Sequence, residues 1–189
     1  MKNIYSREFI GMALRNILNA SEPRLHKKSR VVTEYNERLH QLIDDMRETL
    51  LDSGGVGLAA PQVGVLRRVV LVMDTSKEDL SEEEQIIELV NPEIIETEGE
   101  QTGYEGCLSL PDLYGIVTRP EYVKVRAFDR FGNEFTVDGH GLTARAFCHE
   151  TDHLEGRIFS ELTNKLLSSE DIDTLEAMKE DEESRKAEK

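Results

Sequence analysis

Residues Phe147–Gly156 read FCHETDHLEG, with His149 and His153 four residues apart and Glu150 directly after the first histidine. On an α-helix each residue advances by about 100°, so the two imidazoles lie about 40° apart and Glu150 within about 100° of both. All three can face one point. Two imidazoles on successive turns can share one metal ion, and the carboxylate between them can reach a water at that ion without ligating it. This is an arrangement for metal-assisted hydrolysis, and such a site needs a third protein ligand and one open position.

The third ligand has to come from elsewhere. Three residues beyond Gly156 stands Phe159, which excludes the HExxHxxGxxH pattern. A downstream glutamate, Glu170 or Glu176, would make a thermolysin-like zinc metallopeptidase, but both lie in a stretch that reads as solvated charge. His26 in a basic loop, His40 beside a helical stripe and His140 between glycines read as ordinary surface histidines. Cys148 points roughly 100–140° away from the pair and reads as a small core residue. Cys107 remains, in the loop-like segment YEGCLSLP. Alone it is equally a buried cysteine at a strand edge; beside two imidazoles, a thiolate is a strong soft ligand for zinc or ferrous iron. A fourth position closed by another residue would instead give a non-catalytic, metal-stabilised binding domain, and Glu150 at the catalytic offset argues against that.

Gly54–Gly64, GGVGLAAPQVG, lacks the Lys-Ser/Thr ending of a phosphate cradle. Its small residues suit the wall of a peptide cleft, with the Gln62 amide as a donor. In chain order, GVGLAAPQ, EGCLSLP and HETDH closely resemble the three motifs of the bacterial peptide deformylases, and the resemblance runs from the first helix to Phe159. It implies an α+β fold of curved antiparallel sheets around a central HExxH helix, with an N-terminal and a C-terminal helix. It further implies one divalent ion held by Cys107, His149 and His153, ferrous iron first, with zinc, nickel or cobalt able to occupy the site. Glu150 would be the general acid/base, with the Gln62 amide and the Leu108 backbone N–H holding the oxyanion. Val56, Gly57 and Leu142 would bind the substrate, an N-formylmethionyl nascent polypeptide, with formate as the released product. Glu105 and Arg119 would stand behind the ligands, Arg119 pairing with Asp152. Some relatives dock at the ribosome through a basic C-terminal helix; here the tail is acidic, so ribosome proximity carries over and docking by the tail does not.

The elements that must position these residues are legible too. Leu39, Leu42, Ile43, Met46 and Leu50 recur at helical spacing between Thr33, a candidate cap, and a Gly54-Gly55 stop. From Val65 to Phe135 the pattern changes to short β-branched runs, VVLVM, IIELV, YGIVT and YVKVRAF, with a hairpin turn at Asp129–Gly132 leading to NEFTV. After DGHG a second helix is predicted from near Thr143 to Gly156, carrying the histidine pair. A third, charged helix is predicted from near Ser169, with Ile172, Leu175 and Met178 as a thin apolar stripe. The expected organisation is a catalytic domain over 1–168 and a charged C-terminal helix or tail over 169–189.

With 189 residues, 38% apolar and 32% charged, the chain is sized for one globular domain. It has no apolar run of membrane-spanning length, and its start, MKNIYSREFIGMALRNIL, lacks a secretory h-region, so a cytoplasmic protein is expected. A net charge of -15 repels phosphate backbones and anionic lipid, so neither direct nucleic-acid binding nor membrane binding is expected.

Overall fold

A computed structural model of the chain describes residues 13–77, 79–175 and 177. Helix α1 (Glu37–Ser53) begins at Asn36, whose side-chain oxygen accepts the N–H groups of Arg38 and Leu39, and ends at Gly54 in the left-handed region at φ 64°. The cap is therefore three residues later than Thr33, because Asn36 is the residue with extended backbone and an acceptor over the first free N–H groups. There follow β1 (Gly57–Ala59), a 3-10 turn (Ala60–Val63), β2 (Val69–Met73), the short α2 (Glu82–Gln85) and β3 (Ile86–Glu98). After these come β4 (Gln101–Cys107), β5 (Leu110–Arg119), β6 (Tyr122–Phe128), β7 (Glu134–His140), α3 (Gly141–Leu154), a 3-10 turn (Phe159–Glu161) and β8 (Leu166–Ser168). Residues 169–175 and 177 are helical, and the rest of the expected C-terminal helix, including Glu176 and Met178, lies outside the described residues.

All strand pairs are antiparallel. One sheet has the order β1-β2-β3-β6-β7 and the other β4-β5-β8. The larger sheet is covered on both faces, which explains why VVLVM reads as an unbroken apolar run. Val69 and Leu71 pack with Leu42, Ile43, Met46 and Leu50 of α1, whereas Val70 and Val72 pack with Ala144, Ala146, Phe147 and Leu154 of α3. Alternate side chains of a strand leave opposite faces, so a strand between two helices needs apolar residues at every position. The fold is thus the α+β arrangement expected, with α3 against β1, β2, β6 and β7.

Two local readings change. Cys107 closes strand β4 and is not in a loop: β4 and β5 pair from Gln101↔Arg119 to Cys107↔Leu110, so only Leu108 and Ser109 turn the chain. Strand β7 runs through DGH, since Val123↔Gly139 and Tyr122↔His140 continue the β6 ladder, and α3 starts at Gly141, two residues before Thr143.

Candidate metal centre and peptide cleft

Helix α3 brings His149 and His153 to the large sheet, and β4 brings Cys107 from the small one. The Cys107 sulfur lies 3.4 Å from His153 Nε2, which lies 3.2 Å from His149 Nε2, and the three donor atoms fall within 4.8 Å of one another. A tetrahedral ion with bonds of about 2.3 Å to sulfur and 2.05 Å to nitrogen places its ligand atoms roughly 3.6 Å (S to N) and 3.3 Å (N to N) apart. The Cys107–His153 and His153–His149 separations are each within about 0.2 Å of those spacings. One thiol and two imidazoles, closed by no fourth side chain within this cluster, fit a single divalent ion.

The ring orientations are fixed from behind. His149 Nδ1 donates to Glu105 Oε1 at 2.8 Å, which leaves Nε2 with its lone pair toward the centre. Glu105 is itself held by Arg119, through Nε at 3.0 Å and Nη2 at 2.7 Å, and by Arg145 Nη1 at 3.0 Å. Arg119 also donates to Asp152 Oδ2 at 2.7 Å, tying β5 to α3, and Arg157 pairs with the other oxygen of Asp152. Burial acts to raise the Glu105 pKa, but its bonds to His149 and Arg119 outweigh this and hold it at about 2. Phe159, whose position denies a third histidine, is buried and stacks on His149 with ring centroids 6.1 Å apart.

Without a cation these groups compete for protons. Burial works to lower His149, but the Cys107 sulfur and the Glu105 carboxylate outweigh it and hold His149 well above the usual histidine range. Burial, together with the charge of the adjacent His149, keeps His153 well below it. Burial, with the Glu105 charge adding and His149 opposing, pushes Glu150 up to about 7. Among the described residues Glu150 Oε2 and His153 Nδ1 are buried without a hydrogen-bond partner. An unpartnered buried carboxylate oxygen beside three metal donors is a group kept for something outside the chain.

A cavity of about 450 Å³ opens onto this centre, with Cys107, His149 and Glu150 in its wall. Gln62, Leu108, Val56, Gly57 and Leu142 line the same cavity, Val56 and Leu142 being exposed at its mouth. Gln62 sits in the 3-10 turn; its Oε1 accepts the Ala59 N–H at 2.8 Å, so its Nε2 faces Cys107 Sγ at 3.6 Å and Ser109 Oγ at 3.3 Å. At Gly57 a Cβ would stand 2.5 Å from Glu150 Oε1, so the absence of a side chain there is what makes room for the carboxylate. Strand β1 ends the larger sheet and β4 ends the smaller one, and both border the cavity. An extended peptide entering there meets two open sheet edges.

The other candidates are placed elsewhere. His26 bonds to Ala20 O and faces Glu161, His40 bonds to Arg130 O, and His140 lies against Tyr122. Cys148 is in the core beneath the larger sheet, its thiol pushed up to about 11 by burial. Glu170 is exposed, and Glu176 lies outside the described residues. Arg145 was not picked out from the sequence, although it precedes His149 by four positions and so shares its helix face.

Three convergent donors, a free carboxylate and a cleft define a metal-dependent hydrolase site. The family model described as "Polypeptide deformylase" matches residues 14–168. The peptide deformylase of Lachnoclostridium phytofermentans is 58% identical over 153 residues, spanning 81% of this chain and 91% of its own length, and peptide deformylase 1 of Bacillus subtilis is 43% identical, spanning 87% and 99%. A crystal structure of a peptide deformylase from Legionella pneumophila superposes with a TM-score of 0.73 at 38% identity, covering 88% of this chain and 98% of that one. A Met-Ala-Ser-bound deformylase from Acinetobacter baumannii superposes with a TM-score of 0.73 at 35% identity, covering 80% and 99%. The chain belongs to the polypeptide deformylase family. Its reaction is hydrolysis of the N-formyl group of nascent peptides.

Proposed function

We propose that Cys107, His149 and His153 ligate one ferrous ion, with zinc, nickel or cobalt able to replace it, and that Glu150, Gln62 and Leu108 carry out deformylation of formylmethionyl chains. The observation that carries this is the buried, unpartnered Glu150 oxygen beside three donors that converge within 4.8 Å of one another. A divalent cation at those donors supplies Lewis acidity, polarising a carbonyl and making water a stronger acid. Glu150 takes a proton from water as its oxygen attacks the formyl carbon. The Gln62 Nε2–H and the Leu108 N–H hold the formyl oxygen as it gains charge, preorganised donors that each contribute about 3 kcal/mol to the transition state. The C–N bond then breaks, Glu150 returns its proton to the amine, and formate leaves.

Val56, Gly57 and Leu142 border the methionine side chain, and the peptide behind it lies along β1 and β4, as the open edges favour. The enzyme works in the cytoplasm near ribosomes, with 1–168 as its catalytic domain and 169–189 as an acidic appendage. Among the described residues no helix is long and apolar enough to cross a membrane. The test is formate release from formyl-Met-Ala-Ser under anaerobic conditions, with metal analysis of the same sample and unformylated peptide as control. Glu150→Ala is expected to keep its metal and turn over at least about 100-fold more slowly. A variant that keeps its metal and full activity overturns the assignment.

A further inference from the structure

Leu142, Arg145, Ala146 and His149 of α3 all line the cleft, and their spacing of three and four residues makes them one face of the helix. Leu142 stands exposed at the mouth, His149 reaches the metal centre, and Arg145 and Ala146 lie buried between them. Val56, Gly57, Leu142 and Ala146 give this part of the cavity small or apolar walls. A guanidinium in the same wall is the exception, since a buried cation is costly unless its N–H groups are used.

The protein uses Arg145 only in part. Its side chain is 7% exposed. Nη1 donates to Glu105 Oε2 at 3.0 Å and to Val117 O at 3.1 Å, and Nη2 donates to Gln101 O at 3.4 Å, a long bond. These occupy three of the five N–H groups of a guanidinium, and no acceptor among the described residues takes the Nε–H or the second Nη2–H. Nε has no partner and still is not sealed from solvent, so it opens onto the cavity that Arg145 lines. The guanidinium keeps its place over β4 because residue 103 is glycine: a Cβ there would stand 3.5 Å from Nη2, and a longer side chain would take the space that the guanidinium fills. Glu105 has Arg119 and His149 as further partners, so satisfying that carboxylate does not by itself account for Arg145.

We propose that Arg145 fits the side-chain pocket to a tip bearing a hydrogen-bond acceptor, and that the enzyme accordingly deformylates chains whose first methionine has been oxidised to the sulfoxide. This rests on the placing of the methionine side chain beside Val56, Gly57 and Leu142. A thioether sulfur is a weak acceptor and leaves the spare N–H groups poorly used, whereas a sulfoxide oxygen accepts a charge-assisted hydrogen bond from them. In a pocket without a donor the same oxygen would lose its hydration uncompensated. The oxidised side chain carries one more oxygen and the formyl amide is as before, so the reaction is the same: water adds to the formyl carbon, the C–N bond breaks and formate leaves. A sulfoxide is chiral at sulfur, so only one of its two epimers aims the oxygen at a fixed guanidinium.

The test is formate release by the full metal-loaded chain from formyl-Met-Ala-Ser and from the two separated sulfoxide epimers of the same peptide, read as kcat/KM. The better epimer is expected at no less than about one third of the methionine peptide, and the other at least about fivefold below the better. Arg145→Met also loosens Glu105 and so lowers every rate, which makes the ratio the readout: the better epimer should fall at least about 10-fold further than the methionine peptide. A structural role alone would lower all the peptides together. If Arg145→Met does not fold, the wild-type preference between epimers decides. A better epimer below about one third of the methionine peptide, equal rates for the two epimers, or a ratio unmoved by Arg145→Met would each overturn the proposal. Leu142→Trp crowds the mouth and tests the pocket itself, and it should slow all the peptides by at least about 10-fold. Rates untouched by it would place the methionine side chain elsewhere and end both readings, whereas slowed rates with equal epimers would sink the role of Arg145 alone.

Discussion

Arg119→Met removes a guanidinium that is buried between two carboxylates while roughly preserving side-chain bulk. Arg119 donates twice to Glu105 and once to Asp152, all at 3.0 Å or less, and its side chain is 8% exposed. Its loss leaves Glu105 with Arg145 and His149, and Asp152 with Arg157, whose side chain is 55% exposed and contributes little. Breaking a buried pair from one side costs about 3–5 kcal/mol, chiefly through the stranded charge. For a domain of this size that corresponds to a fall in melting temperature of about 6–20 °C. Because Glu105 orients the His149 ring, metal affinity should also fall by about 10- to 100-fold. Thermal unfolding and competition with a chelator read the two effects separately. Adding Asp152→Asn to Arg119→Met should recover part of the stability, since it removes one stranded charge, and none of the metal affinity. A drop of less than about 3 °C with unchanged metal affinity would refute the reasoning, as would a double variant no more stable than Arg119→Met.

Gly57→Ala should leave the metal in place but displace Glu150, whose Oε1 a Cβ would approach to 2.5 Å, and activity should fall by about 100-fold or more; metal content and formate release measured on one sample decide it. Cys107→Asp replaces a soft donor by a hard one, so the ratio of zinc to magnesium or manganese affinity should fall, and an unchanged ratio in competition titrations would argue against ligation. Asp45 is buried, which alone would raise its pKa, yet the Gln41 amide, the Ala13 N–H and Arg15 bring it below its ordinary value of 3.8. A lowered folded pKa means that its contribution is complete above about pH 4 and disappears as the pH falls through the folded value. Urea midpoints of wild type and Asp45→Asn should therefore converge below pH 4, and a constant gap down to pH 3 would count against this.

The chemistry was legible where spacing along one element sufficed. His149, Glu150 and His153 share a helix face by periodicity alone, and the three motifs in order pointed to Cys107. The pairing of Arg119 with Asp152 was also foreseen, but its burial was not, since a sequence does not show that β5 and α3 cover it from both sides. Arg145 and the stacking of Phe159 on His149 were not legible for the same reason: each acts through a neighbour, Glu105 or His149, that only folding brings near. The Thr33 cap failed because several residues ahead of the stripe could cap, and backbone geometry chose Asn36.

The cysteine ligand belongs to one sheet, and both histidines ride on a helix packed against the other. An ion gripped by all three therefore works as a rivet as well as a reagent. Demetallation should loosen the seam between the two sheets, so protease nicking near Leu108 and Ser109 would report an emptied centre before any global unfolding.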